Sequence, residues 1–166
     1  STSSYNNMRK FFLNAKILIG HNITRWDIVH VERLLGITIT AKIIDTLAIS
    51  WYLEPERAKH GLESYGEDFG VPKPPVYDWE GEHISVYLER CEEDVKINSI
   101  LWDRQWKQLL KLYGSEAEVW RFLEYLSFKM DCAREQEANR WRLDGVRATN
   151  VMEKLIGIRE DKVFEL

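Results

Sequence analysis

Hydrophobic residues change their rhythm once along this chain, and that change limits the folds open to it. Up to about residue 53, short apolar runs alternate with helically spaced stretches; from Ile84 onward only helical spacing remains. Lys16-Ile17-Leu18-Ile19-Gly20 is a brief apolar run closed by glycine, the pattern of a buried strand. Over residues 24–35, Ile28, Val31 and Leu35 fall on one helical face, and Gly36 ends the helix. Lys42-Ile43-Ile44 reads as a second buried strand running into a helix over 46–53, with Pro55 beyond it. A short helix fits 62–69, ahead of Gly70 and the Pro72, Pro74, Pro75 cluster. Strands alternating with helices predict an α/β layer fold with parallel pairing.

The second part of the chain reads as helix throughout. Ile84, Tyr87, Leu88, Cys91 and Val95 recur at helical offsets and predict a core-facing stripe, with Cys91 a small buried hydrophobe. Gly114 and Ser115 break the run, and a long helix then carries Val119, Phe122, Leu123, Leu126 and Met130. Asp144 reads as the N-cap of a last helix containing Val151, Met152 and Leu155. Residues 1–7 read as a frayed end. Two short strands make a poor sheet, since three or more are normally needed for independent stability. The expectation is an α/β half that lacks strands on its N-terminal side.

Composition narrows the function classes. At 45% hydrophobic and 30% charged, the chain is neither disordered nor low in complexity. No apolar run approaches the roughly 20 residues that span a bilayer, and no basic-then-apolar leader opens the sequence, so a cytoplasmic protein without a membrane partner is expected. Cys91 and Cys132 are too few for a disulfide scaffold, which fits a reducing compartment. The net charge of −4 argues against coating nucleic acid by bulk electrostatics. Residues 101–166 balance 12 basic against 12 acidic side chains, so residues 1–100 carry the whole excess. It gathers in Asp78, Glu80, Glu82, Glu89, Glu92, Glu93 and Asp94, a solvated face or a set of divalent-metal ligands.

Two segments hold the candidate residues for chemistry. His21, Asn22, Trp26 and Asp27 lie at a strand-to-helix junction, where open α/β sheets usually bind ligands. Thr24 followed by Asp27 also matches a capping box, and that structural role is the leading reading of Asp27 on its own. Asp94 sits on the flank of the predicted stripe, where a carboxylate needs a partner. Arg90, one turn earlier, offers an ordinary helical ion pair, and a metal ion is the functional alternative. Asp45-Thr46 reads as a helix cap. Trp26 and Tyr87 are expected in core packing, with base stacking as the alternative. The sequence has no Cys-x-x-Cys pair, glycine-rich phosphate loop or nucleophile elbow.

Taken in order, these segments resemble a known family. Ile19-Gly20-His21-Asn22-x-x-x-Trp26-Asp27 resembles the second exonuclease motif of the proofreading domain of phage-like family A DNA polymerases. Ile44-Asp45-Thr46-Leu47 is similar to the strand that follows it. The stretch from His60-x-Leu62-Glu63-x-Tyr65-Gly66 to Phe69-Gly70-Val71-Pro72-Lys73 is similar to what comes next. Cys91-Glu92-Glu93-Asp94-Val95 resembles the third motif, and Glu135-Gln136-Glu137-Ala138-Asn139 with Arg142-Leu143-Asp144 resembles the passage into the polymerase.

The resemblance implies an RNase H-like exonuclease fold, N-terminally incomplete, over residues 1–113, and a helical segment leading into a polymerase domain over 114–166. It implies removal of nucleotides from a single-stranded DNA 3′ end by two Mg²⁺ or Mn²⁺ ions held by four carboxylates. Asp94 and Asp27 would be two of the four, with His21, Asn22 and Trp26 toward the substrate. The family's first motif, Asp-x-Glu, does not occur upstream of Ile19, so a polymerase domain or companion chain would have to supply it. Arg90 stands where the third motif usually has tyrosine, and arginine cannot accept a proton from water. The expectation is a fragment or split subunit that is inactive alone. A non-catalytic exonuclease-like module that binds DNA or a polymerase partner is the alternative.

Overall fold

The computed structural model describes residues 2–71, 73, 78, 80–140 and 143–164. The chain runs α1 (Thr2–Asn14), β1 (Ile17–Gly20), α2 (Asp27–Leu35), β2 (Lys42–Asp45), α3 (Thr46–Leu53), α4 (Leu62–Phe69), α5 (Ile84–Tyr113), α6 (Glu116–Asn139) and α7 (Gly145–Phe164). The two strands pair in parallel, Ile17 opposite Lys42 through Gly20 opposite Asp45, and the Lys42 N–H extends the ladder to the Lys16 carbonyl at 2.9 Å. Both strands fall where the apolar runs put them. Gly36 takes the left-handed φ of 59° that closes α2.

The expected RNase H-like α/β fold is not what the chain builds. Among the described residues helix accounts for 72%, in seven helices, and the sheet is only the two-stranded parallel one rather than a mixed sheet. The cause lies in the long helical periods: α5 has 30 residues and α6 has 24, and they occupy the chain that further strands would need. Residues 2–14 also form a helix where a frayed end was expected, and the Arg9 guanidinium donates to the Leu35 carbonyl at the end of α2.

Helices do the stabilising that a wider sheet would otherwise do. Ile44 of β2 and Ile49 of α3 are buried against Leu109 of α5 and Val119 and Leu123 of α6, with Trp102, Trp106 and Trp120 around them. Each such aliphatic side chain stabilises the fold by about 1.5–3 kcal/mol. The Ser127 hydroxyl of α6 donates to the Ile43 carbonyl at 2.6 Å, occupying one outward-facing acceptor of β2. A second cluster joins Tyr65 of α4 to Ile97 and Leu101 of α5.

The predicted stripe of α5 is reversed. Ile84, Leu88, Cys91 and Val95 are exposed, and the buried face is Ile97, Leu101, Gln105 and Leu109. Asp94 lies three residues before Ile97, at the head of that buried face. The chain divides into two compact units, residues 1–134 and 135–166, with the candidate site in the first. Among the described residues no helix is long and apolar enough to cross a membrane.

Candidate acid cleft at the strand ends

Both strands end at the same level, and the residues following them are tied together by one carboxylate. Asp45, the last residue of β2 and only 5% exposed, accepts from the Asn22 N–H at 2.9 Å, the Thr24 N–H at 3.2 Å and the Leu47 N–H at 3.0 Å. The Leu47 bond caps α3, the role its sequence position indicates. The other two bonds fold the 21–24 segment over the end of the sheet. Asn22 adopts a left-handed φ of 59°, which asparagine tolerates better than most residues, and this turns its N–H toward Asp45. Asp45 is thus spent on backbone donors.

Thr46 organises the next layer. Its hydroxyl is fully buried, donates to Asn98 Oδ1 at 2.7 Å and lies 3.0 Å from His21 Nδ1. The same hydroxyl lies 3.2 Å from the Gly20 carbonyl, so Thr46 Oγ1 joins the end of β1 to α5 and to the His21 ring. Burial pushes the His21 pKa below its ordinary value, against the opposing pull of the Asp45 charge and of a hydrogen bond to the His60 backbone. Among the described residues, Asn22 Oδ1 and Asp94 Oδ1 are buried oxygens without a hydrogen bond, and Asp94 Oδ1 has the Lys73 ammonium as its ion-pair partner. Buried oxygens of this kind call for a donor or a cation.

Asp27 opens α2, and the capping box expected of it does not form. Trp26 is the residue before the helix and makes no side-chain cap, while the Thr24 N–H is turned to Asp45. The Asp27 side chain is exposed at the start of α2, with its carboxyl partly desolvated. Desolvation raises its pKa, and the negative charges of Asp45 and Asp94 raise it further. Asp94 approaches from α5, and the Lys73 ammonium lies 2.7 Å from its Oδ1. His21 is within electrostatic reach of Asp45, Lys73 and Asp94 as well.

His21 and Asp27 are thus each within electrostatic reach of Asp45 and Asp94, and Asn22 is tied to Asp45 through its N–H. Arg90 is half-buried one turn before Asp94 on α5. Trp26 is not in the core: it is 62% exposed and packs at a tilt against His30, with ring centroids 4.5 Å apart. Tyr87 is half-buried, with its hydroxyl donating to the Asp78 carbonyl at 3.3 Å. Sequence reasoning gave no role to Lys73 or Asn98. Asn98 had a signal, a polar residue four positions after Asp94 and one after the buried Ile97; Lys73 had none beyond its place in the family-like stretch.

The residues present do not complete a two-ion site. Among the described residues no group of three His, Cys, Asp or Glu side chains is placed to hold a metal. Asp45 is saturated by N–H donors, and Asp94 already has a cation beside it. Asp27 and Asp94 are two anionic ligands where the resemblance implies four. The chain matches no protein-family model, no curated protein and no solved structure.

Proposed function

We propose that the chain is a fragment or split subunit of a phage-like family A DNA polymerase, contributing one side of a 3′–5′ exonuclease site. The reading is supported by one observation above the rest: Asp27 and Asp94, distant in sequence, lie within electrostatic reach of each other, and Asp94 adds to the raised pKa of Asp27. His21, Asn22 and the exposed Trp26 line the approach that a single-stranded DNA 3′ end would use. The remaining carboxylates, and with them two Mg²⁺ or Mn²⁺ ions, come with an Asp-x-Glu motif on the polymerase domain or a companion chain. The proposed location is the cytoplasm, that of the host if the chain is phage-encoded.

By itself the chain is proposed to be inactive. Two anionic ligands hold divalent ions too weakly for catalysis, and Arg90 cannot take a proton from an attacking water. The test is digestion of a 3′-labelled single strand in Mg²⁺ and in Mn²⁺, by the purified chain and by a polymerase assembly that contains it. The expected result is background release from the chain alone and Asp27- and Asp94-dependent release from the assembly. An assembly indifferent to both Asp27→Asn and Asp94→Asn would overturn the reading.

A non-catalytic module that binds DNA or a polymerase partner is the second reading, favoured by the ion pair at Asp94. It predicts single-strand binding that survives Asp27→Asn and Asp94→Asn, with no hydrolysis in any assembly.

A further inference from the structure

We propose that Lys73 is the resident cation of the acid cleft, holding the position beside Asp94 that a divalent ion would need and so excluding such ions from the chain on its own. The inference rests on the reading of Asp27 and Asp94 as the metal-facing acids. The Lys73 ammonium lies 2.7 Å from Asp94 Oδ1, and the two side chains are only 16% and 30% exposed, so solvent and salt screen the pair less than a surface pair.

The local fold delivers Lys73 to this place. Gly70 ends α4 with a left-handed φ of 68°, which reverses the chain. The Val71 N–H then returns to the Gly66 carbonyl at 2.8 Å, and the Val71 side chain packs on the Tyr65, Ile97 and Leu101 cluster. Two residues beyond this anchor, Lys73 reaches the head of the buried face of α5, where Asp94 stands. Its loop and the helix bearing Asp94 are thus fixed to the same apolar cluster.

The remaining chemistry of the cleft fits a cation. Asn22 Oδ1 is a buried acceptor without a hydrogen bond among the described residues, and the exposed Asp27 carboxylate lies within electrostatic reach of Asp94. An ammonium with three donors suits such surroundings, and so does a divalent ion, which beside Lys73 would bring a further two positive charges to one carboxylate. A dication entering beside Lys73 meets a like charge within a few ångströms, in a site where screening is weak. Lys73 thus acts as a specificity-determining residue: it satisfies Asp94 with one positive charge and leaves the chain without a metal.

The test is Mn²⁺ binding to the whole chain, read as loss of the free-ion paramagnetic resonance signal. Wild type and Lys73→Arg, which keeps the cation, are expected to bind weakly and alike. Lys73→Gln is expected to bind about tenfold more tightly, as removal of a like charge at short range implies, and Asp94→Asn in the same chain is expected to abolish the gain. Equal Asp94-dependent binding by wild type and Lys73→Gln would overturn the role of Lys73 and leave the acid cleft standing as a metal site. Absence of Asp94-dependent binding in every variant would overturn both.

Discussion

At the scale of single residues, Asp45 matters more to the structure than the two acids beside it. Its carboxylate satisfies three backbone N–H groups from two segments. Asp45→Ala strands all three, and we expect a loss of about 3 kcal/mol in urea unfolding, with Asp45→Asn costing less because one oxygen remains. A loss under about 1 kcal/mol for Asp45→Ala would show that the 21–24 segment is not held this way. His21 gives a pH signature. Its pKa is lowered in the folded state by burial, so between that value and the ordinary 6.5 the unfolded chain binds the extra proton. Stability is then complete above 6.5 and falls as the pH drops through that value. Urea midpoints across this window should slope less in His21→Gln than in wild type; parallel slopes would mean that the ring titrates alike in both states.

At the scale of elements, α4 and α5 approach more closely than a side chain allows. A Cβ on Gly66 would lie 2.5 Å from the Val71 carbonyl oxygen and 2.8 Å from Ile97 Cδ1. The backbone carbonyl cannot yield without breaking the turn that follows α4, so Gly66→Ala should destabilise the chain by about 2 kcal/mol, despite alanine's better helix propensity. A neutral or stabilising result would place α4 farther from α5. The strands and short helices were legible because their apolar runs are bounded by Gly20, Gly36, Pro55 and Gly70, residues that stop an element for steric reasons. The inward face of α5 was not. Helical spacing relates Ile84, Leu88, Cys91 and Val95 as well as it relates Ile97, Leu101, Gln105 and Leu109, and periodicity cannot say which row is covered. The covered row includes a glutamine, which sequence reasoning sends to solvent. Its burial is tolerable because Gln105 Nε2 donates to the Thr46 carbonyl at 2.9 Å. The capping box at Thr24 and Asp27 failed for a related reason: a distant carboxylate, Asp45, took the Thr24 N–H first.

At the scale of the whole molecule, the excess negative charge and the acid cleft belong to the same part of the chain, while residues 101–166 are electrically neutral. The sheet is too small to stand alone and depends on the tryptophan-lined packing against α5 and α6. That dependence is why strand and helix types could be read locally while the expected mixed sheet could not: sheet size is set by how many strands meet, not by the pattern within any one of them. The acids were legible as candidates, but their convergence and the presence of Lys73 depend on how distant segments meet. The central claim is that Asp27 and Asp94 face one cleft, and carboxyl-carbon NMR titration of Asp27 tests it most directly. Asp27 should titrate above its ordinary value in the wild-type chain and move downward in Asp94→Asn, because a neighbouring negative charge is lost and Lys73 is left uncompensated. An Asp27 that titrates at its ordinary value, or that does not respond to the Asp94 substitution, would contradict the account.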